Sequence, residues 1–318
     1  MRLSIFSSLM GCLVLFVLTA CDQREAPPLK IGSNIWPGYE FYYMARDLGH
    51  LDPKKVRLVE FSNATDVSHQ LVNGSIQAGL LTLDEVIRLK HSGLDLTVVQ
   101  VVDFSRGGDV VVGRSSLENV DWKQATIAVE ESAVGALMLW AFAQNIQVPV
   151  ESLNVQYISV DESVDAYNKG ADFVVSFEPF RTLLLNKGAK QVFDSSQVPN
   201  LIVDVLAIRN DAIKDHEQQL RHAIAEYFSA LNLYRASPQK YAPLLAKRLQ
   251  ISAEEVQATY DGIVPATLKD NHELMDGNDP KIISSIEVIS DVLLKSNLIG
   301  SPVKPTSVLG EKAYYLGL

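Results

Sequence analysis

One stretch near the start of the sequence, KIGSNIWPGYEFYYMARDLG at residues 30–49, constrains the fold more than any other. The apolar residues Leu29 and Ile31 predict a strand. Pro37 and Gly38 then predict a tight turn, because proline presets φ and glycine accepts positive φ. The apolar spacing that follows predicts a helix. This strand–turn–helix order is typical of an α/β fold.

The residues in the turn indicate what this unit does. In a strand–turn–helix unit, the turn lies at the carboxyl end of the strand, where open α/β sheets bind ligands. Trp36, Tyr39 and Glu40 all lie in the turn or the first helical turn. An indole, a phenol and a carboxylate suit contact with a small molecule better than they suit a core. Packing of Trp36 under a loop is the alternative interpretation.

Charge and motifs exclude several functional classes. The 318-residue chain is long enough for two domains and carries 28 basic and 38 acidic side chains, a formal net charge of −10. Nucleic-acid binding is not expected, since it depends on clustered Lys and Arg. The sequence has no GxxxxGK[ST] loop and no HExxH motif, and its six histidines lack metal-ligand spacing. We therefore expect neither a metal nor another cofactor.

The first 20 residues predict a secretory signal peptide. Arg2 supplies the positive start, and residues 9–18 form an apolar run too short to span a bilayer comfortably. The run ends in Leu-Thr-Ala-Cys, which resembles the bacterial lipobox, so Cys21 is predicted to carry diacylglycerol and palmitate. A cleaved signal with an incidental cysteine is the alternative.

The same region predicts the location of the mature protein. Residues 21–28 read as a polar, proline-rich tether. Asp22 resembles the signal that retains Gram-negative lipoproteins at the periplasmic face of the inner membrane. Cys12 and Cys21 are the only cysteines, so no thiol is expected for catalysis, disulfides or metal binding.

From Leu29 to Phe104 the chain alternates predicted strands and helices, which indicates a parallel sheet covered on both faces. Two strands in succession, Leu96–Phe104 and Asp109–Gly113, then interrupt the rhythm. We interpret this break as a crossing into a second domain, where the alternation resumes. The strand predicted for Asp204–Ile208 returns the chain, and mostly helices are expected beyond it.

The predicted fold class is therefore α/β, with two lobes joined by two crossings. The predicted boundaries are residues 29–106 and 206–318 for the first lobe and 107–205 for the second. Helices of the C-terminal part are expected to pack on the first lobe. A double crossing of this kind acts as a hinge over a cleft.

Four segments of the sequence resemble the solute-binding proteins of bacterial ABC importers, in particular the group for nitrate, sulfonates, taurine and thiamine precursors. They are IGSNIWPGYEFYYMARDLG at 31–49, VEFSNATDVSHQLVNGSIQAGLLTLDEV at 59–86, TIAVEESAVGALMLW at 126–140 and DFVVSFEPF at 172–180. The resemblance implies a monomeric, type II, Venus-flytrap periplasmic binding protein that holds its ligand between the lobes. It also implies an ABC permease in the inner membrane as partner.

The resemblance also places candidate ligand contacts, at strand ends and helix N-termini of both lobes. Those of the first lobe are Asn34, Trp36, Tyr39, Glu40, Thr65, Asp66, Thr82 and Asp84, and those of the second are Ser132, Ala133, Gly135 and Glu178. Phe104 and Asp204 are expected near the hinge. For Asp66, Asp84 and Glu178, helix capping explains the acid equally well, because the macrodipole favours acids in the first turn.

The residue types around the predicted cleft bear on the ligand. Helix N-termini suit an anion such as a sulfonate. The predicted cleft nevertheless carries several carboxylates and the aromatic rings of Trp36, Tyr39 and Phe177, and the nearest basic residues are Arg106 and Arg181. Charge pairing and cation–π contact favour an amine or an amino-heterocycle.

Two other functional classes are alternatives to an importer's binding protein. A receptor that docks on a membrane signalling protein would show the same sequence features. An enzyme is not expected: the yeast branch of this superfamily that makes a thiamine precursor depends on histidine and a cysteine-rich motif, which the mature chain lacks.

Overall fold

The computed structural model describes residues 27–276 and 280–309. Within them the chain forms two mixed β-sheets flanked by helices. The strands are β1 Leu29–Ser33, β2 Val56–Glu60, β3 Ala78–Thr82, β4 Leu96–Ser105, β5 Asp109–Gly113, β6 Thr126–Glu130, β7 Asn154–Ile158, β8 Phe173–Phe177, β9 Lys190–Asp194, β10 Val203–Arg209 and β11 Ile263–Pro265. We call each sheet with its helices a lobe.

The first lobe contains a six-stranded sheet in the order β11-β4-β10-β3-β1-β2. β1 is parallel to β2 and β3, but β10 runs antiparallel between β3 and β4. The four strands from Leu29 to Phe104, β1 to β4, therefore run in the same direction as expected, but the sheet as a whole is mixed. The reason is that β10 returns from the second sheet in the opposite direction and separates β3 from β4.

The second lobe contains a five-stranded sheet in the order β7-β6-β8-β5-β9. β6 is parallel to β7 and β8, whereas β5 is antiparallel to β8 and β9. β5 and β8 are buried along their whole length, in agreement with the three or more apolar residues that each contains.

Two connections join the lobes and lie side by side. The hydroxyl oxygens of Ser105 and Ser195 are 2.8 Å apart, and Ser195 Oγ also accepts a hydrogen bond from the Gly107 amide at 2.7 Å. Ser105 Oγ accepts a third bond, from the Asp109 amide at 3.1 Å. The predicted fold class, two α/β lobes with a double crossing, is confirmed; the residue boundaries of the lobes stay predictions.

Helices cover both sheets. They are α1 Glu40–Asp47, α2 Ala64–Val72, α3 Leu83–His91, α4 Ala133–Asn145, α5 Ser163–Lys169, α6 Phe180–Asn186, α7 Asn210–Ala236, α8 Pro238–Leu249, α9 Glu255–Tyr260, α10 Leu268–Met275, α11 Ile282–Lys295 and α12 Pro305–Val308. None of these helices combines the length and apolar character needed to cross a membrane. Residues 1–20, Cys21 and Asp22 lie outside the described residues.

The long helix α7 packs on α1 of the first lobe. The ring of Phe41 lies 5.8 Å from that of Tyr227 and 5.6 Å from those of Tyr234 and Tyr260. These aromatic contacts hold the turn before α1 in place, since α1 is buried over most of its length. Strand β11 was not predicted, because three residues are too few to show an alternating pattern.

Candidate ligand-binding site

Residues from both lobes line a small cavity between the sheets. Its walls are formed by Asn34, Trp36, Tyr39, Ala64, Thr82, Glu85, Asp109, Glu130, Val134, Phe177 and Asp204. The cavity volume is about 20 Å³, which is room for about one water molecule. The lobes therefore stand close together, and a larger ligand requires them to separate.

Contacts between the lobes surround this cavity. Thr65 Oγ1 donates a hydrogen bond to the Glu131 carbonyl at 3.0 Å, and Asn63 Nδ2 lies 3.5 Å from Ser159 Oγ. Elsewhere, Asn186 Nδ2 donates to a Glu255 carboxylate oxygen at 2.7 Å. These hydrogen bonds are polar contacts that the lobes would lose on separation.

Aromatic side chains form one wall of the cavity. The indole of Trp36 meets the ring of Phe177 edge to face, with 5.8 Å between centroids, and so joins the two lobes. Its Nε1–H donates to Asp103 Oδ2 at 3.0 Å. A side chain at Gly38 would overlap the Asp103 carboxylate, so only glycine allows this approach. The turn therefore holds the indole rigidly.

Four carboxyl groups face the cavity, two from each lobe. Glu85 in the first turn of α3 accepts a bond from the Thr82 amide at 3.0 Å, and Asp204 in β10 accepts one from the Tyr39 hydroxyl at 2.5 Å. Asp109 begins β5 and Glu130 ends β6. All four are at least nine-tenths buried, and no Lys, Arg or His is among the residues that line the cavity.

Burial raises the pKa of each of these four groups. The pKa of Asp109 and of Glu130 is raised to about 7, and that of Glu85 to about 8. The pKa of Asp204 is also raised well above its ordinary value, by burial first and then by the neighbouring Asp103 carboxylate. The physical cause is that a carboxylate leaves water without gaining a cation.

Two buried oxygens in the cavity walls lack a hydrogen-bond donor within the described part of the chain, Asp109 Oδ2 and Glu130 Oε1. A buried acceptor without a donor costs about 1–3 kcal/mol, and more when it is charged. The cavity therefore has the chemistry to receive a group that brings both N–H donors and positive charge.

Four of the residues predicted from sequence line this cavity: Asn34, Trp36, Tyr39 and Thr82. Gly135 lines an adjoining small cavity that shares Asp109, Glu130 and Phe177 with the first. Ser132 instead lines a wider, open groove, and its hydroxyl donates to Glu130 Oε2 at 2.8 Å. Ser132 thus contacts a cavity carboxylate rather than the cavity itself.

Two predicted acids, Glu40 and Glu178, do not line the cavity, because each is paired with an arginine. Glu40 forms a buried ion pair with Arg248 of α8. Glu178 is fully buried and bonds Arg181 Nη1 at 2.8 Å. Paired in this way, neither carboxylate offers a free charge to a ligand.

Three further predicted residues also lie outside the cavity walls. Thr65 bonds the opposite lobe, and Asp66 is half-buried in the first turn of α2. Asp84 is completely buried in the first turn of α3. Burial raises the pKa of Asp84 to about 6.

Sequence reasoning missed three of the cavity carboxyl groups: Glu85, Asp109 and Glu130. Each had a visible signal, because Glu130 ends a predicted strand, Asp109 begins one, and Glu85 is the third residue of a helix whose N-cap is Thr82. Within the described residues, no group of three His, Cys, Asp or Glu side chains is arranged to hold a metal ion.

Solved structures of known proteins share this fold. The ligand-binding component of an ABC-type import system from Staphylococcus aureus, with zinc bound, matches with a TM-score of 0.74 at 16% identity, over 92% of this chain and 98% of its own. The alkanesulfonate-binding protein SsuA from Xanthomonas axonopodis pv. citri, bound to MOPS, matches with a TM-score of 0.74 at 16% identity, over 89% and 98%.

A third similar structure is a Candida albicans gene product described as having the generic periplasmic binding protein fold. It has a TM-score of 0.70 and 15% identity and covers 90% of this chain and 97% of its own. No family model and no curated protein sequence matches the chain. At such low identities the similarity establishes the architecture alone, and this chain has the periplasmic binding protein fold.

Proposed function

We propose that this protein is an extracytoplasmic solute-binding protein that captures a small organic cation, an amine or an amino-heterocycle, and delivers it to an ABC-type permease. The observation that carries the proposal is the set of four buried carboxyl groups, two from each lobe, that face a cavity lined by no basic side chain. A cation between the lobes would pair with these groups and supply the missing donors.

Electrostatics favour a cation over the anions named for similar structures. Above pH 7, where Asp109 and Glu130 are ionised, a sulfonate or nitrate placed beside them would meet like charge at low dielectric, an arrangement that costs several kcal/mol. The ring of Trp36 adds cation–π attraction, worth about 0.5–2 kcal/mol. We infer a binding rather than an enzymatic role, since the similar structures include ligand-binding components of importers.

The proposal predicts a pH dependence with a definite sign. Because the folded protein holds protons on Asp109, Glu130 and Glu85 up to about pH 7–8, a cation must displace them. For each displaced proton, affinity rises by up to about tenfold per pH unit below that pKa. Between pH 6 and pH 8.5, a strongly basic amine is therefore expected to bind at least about tenfold more tightly at the higher pH.

Isothermal titration with alkylamines, aminopyrimidines and alkanesulfonates at both pH values tests this expectation. The amine titrations should release protons into the buffer, which is measured by repeating them in buffers of different ionisation enthalpy. Sulfonates serve as the matched anions, and any sulfonate binding should weaken as pH rises. Tight binding of a sulfonate, together with no binding of any cation, would overturn the proposed ligand class.

The anchor is proposed from the sequence alone. Cys21 follows an apolar run and would carry the lipid on the mature protein. In bacterial cells, we expect the wild-type protein in the membrane fraction with the mass of a triacylated N-terminus, and Cys21→Ala in the soluble fraction or unprocessed. An unmodified Cys21 in the mature protein would contradict this proposal.

A further inference from the structure

We propose that the ligand carries two cationic nitrogen groups, joined by a short apolar spacer, so that each lobe binds one of them. This inference rests on the proposed function and narrows its substrate class to compact diamines and related dications. It follows from the number, the distribution and the unmet hydrogen-bonding capacity of the buried carboxyl groups.

The number of acids exceeds what one positive charge can balance. Glu85, Asp109, Glu130 and Asp204 face the cavity, and no basic residue lines it. A monoammonium ion would leave three of these carboxyl groups either protonated or charged and unpaired. Two ammonium groups bring six N–H donors, enough to serve the carboxylates of both lobes.

The distribution of the acids assigns one cation to each lobe. Glu85 and Asp204 belong to the first sheet and its helices, whereas Asp109 and Glu130 belong to the second sheet. Asp109 and Glu130 of the second lobe each have an oxygen without a donor in the described residues. In the first lobe, Glu85 accepts only from the Thr82 amide and Asp204 from the Tyr39 hydroxyl, so its acids also lack a cationic partner in the cavity wall. A ligand with a single charge would pair with the carboxyl groups of one lobe and leave those of the other lobe without a cation.

The aromatic side chains between the acids suit an apolar spacer. Trp36 of the first lobe and Phe177 of the second meet edge to face beside the cavity. The polar edge of Trp36 is already bonded to Asp103, so the indole presents carbon atoms to a ligand. Methylene groups would pack on these rings while the two charged ends reach the acids.

A dication also accounts for closure of the lobes. When all four acids are ionised, the two lobes carry like charge across the cavity and repel each other. A ligand with one positive charge at each end removes this repulsion on both sides. We therefore expect dications to favour the closed form more strongly than monocations do.

The test compares straight-chain α,ω-diamines of three to six carbons with n-alkylamines of the same lengths, by isothermal titration of the wild-type protein at pH 8. The best diamine is expected to bind at least about 100-fold more tightly than its matched monoamine, with one preferred length. Agmatine is included as a second dication, and an aminopyrimidine, which is neutral at pH 8, as an uncharged amino-heterocycle.

A double variant tests whether the second lobe binds one cationic end of the ligand. In the double variant Asp109→Asn, Glu130→Gln, the diamine should lose its advantage and bind about as well as the monoamine. Circular dichroism confirms folding of the variant, and the wild-type series stands on its own if the variant fails to fold. Equal affinity of diamine and monoamine would overturn this inference and leave the proposed function intact. Binding of sulfonates without binding of amines would overturn both.

Discussion

Asp109→Asn is expected to stabilise the ligand-free protein and, in the same molecule, to weaken the binding of a cationic ligand. Asp109 is 3% exposed, and one of its carboxylate oxygens has no donor in the described chain. Burial, together with the charges of Asp84 and Glu130, raises its pKa from 3.8 to about 7. An asparagine keeps the shape and removes the buried charge.

The sign of the stability change depends on pH. The folded pKa lies above the unfolded value, so the folded protein binds more protons between pH 4 and pH 7, and ionised Asp109 opposes folding above that range. At pH 8 the amide is expected to raise the free energy of unfolding by about 1–3 kcal/mol, and near pH 4 by close to zero. Urea denaturation at the two pH values measures this difference.

Binding should change in the opposite direction. Loss of one buried carboxylate that pairs with an ammonium group costs about 2–4 kcal/mol, so amine affinity at pH 8 should fall about 30-fold or more. Glu118→Gln is the matched control, because it removes the same charge from an exposed position of the second lobe and should change neither quantity. If Asp109→Asn lowered stability and left amine affinity unchanged, Asp109 would be a structural residue only.

This pairing of effects separates a binding site from a structural acid. When a carboxyl group that stabilises the fold is neutralised, the protein becomes less stable. When a carboxyl group that serves only to bind a ligand is neutralised, the protein becomes more stable. The same comparison applies to Glu130, whose pKa is raised for the same reason, and it requires no knowledge of the ligand.

Strand ends and helix starts have local signals in the sequence, and these signals led to residues that line the cavity. Trp36 and Tyr39, from a single turn, lie in its wall, although their role in ligand binding stays a prediction. Glu40 does not lie there, although it follows Tyr39 directly. Successive residues on a helix point about 100° apart, and the buried arginine that pairs with Glu40 comes from a helix 208 residues away.

Neighbouring acids in α3 show the same limit. The sequence favoured Asp84, but Glu85 lines the cavity, since its side chain turns back to the Thr82 amide. The order of the strands in the sheet also could not be predicted from local sequence patterns. An alternation of strand and helix indicates which segments pair in parallel, but β10 enters the first sheet from a distant part of the chain.

Arg248→Met is expected to cause a large loss of stability. Arg248 of α8 forms an ion pair with buried Glu40, and its Nε donates to Glu60 at 2.9 Å. The guanidinium also lies 3.6 Å from the centre of the Tyr43 ring. Removing Arg248 would leave Glu40 buried without a cation, which costs about 3–5 kcal/mol.

The loss should depend on pH, because protonation can replace the missing cation. Burial raises the pKa of Glu40 from 4.5 to about 7, even though Arg248 lowers it. Without Arg248 this pKa rises further, so ionised Glu40 opposes folding above pH 7 and neutral Glu40 does not at pH 5. The expected loss is therefore full at pH 8 and much smaller at pH 5, measured by urea denaturation at each pH.

Two further variants distinguish the ion pair from simple packing. Adding Glu40→Gln to Arg248→Met should recover part of the lost stability at pH 8, since no buried charge remains. Arg181→Met is the matched control, because Glu178 keeps hydrogen bonds from the Thr182 amide and hydroxyl at 3.2 and 2.9 Å, so its loss should be smaller. A loss for Arg248→Met that is the same at both pH values and is not recovered would assign the effect to packing on Tyr43.

The same arginine also positions the cavity wall. Arg248 Nη2 donates to the carbonyl of Asn34 at 3.2 Å, so the ion pair holds the turn that carries this wall. Loss of the arginine should therefore weaken ligand binding as well.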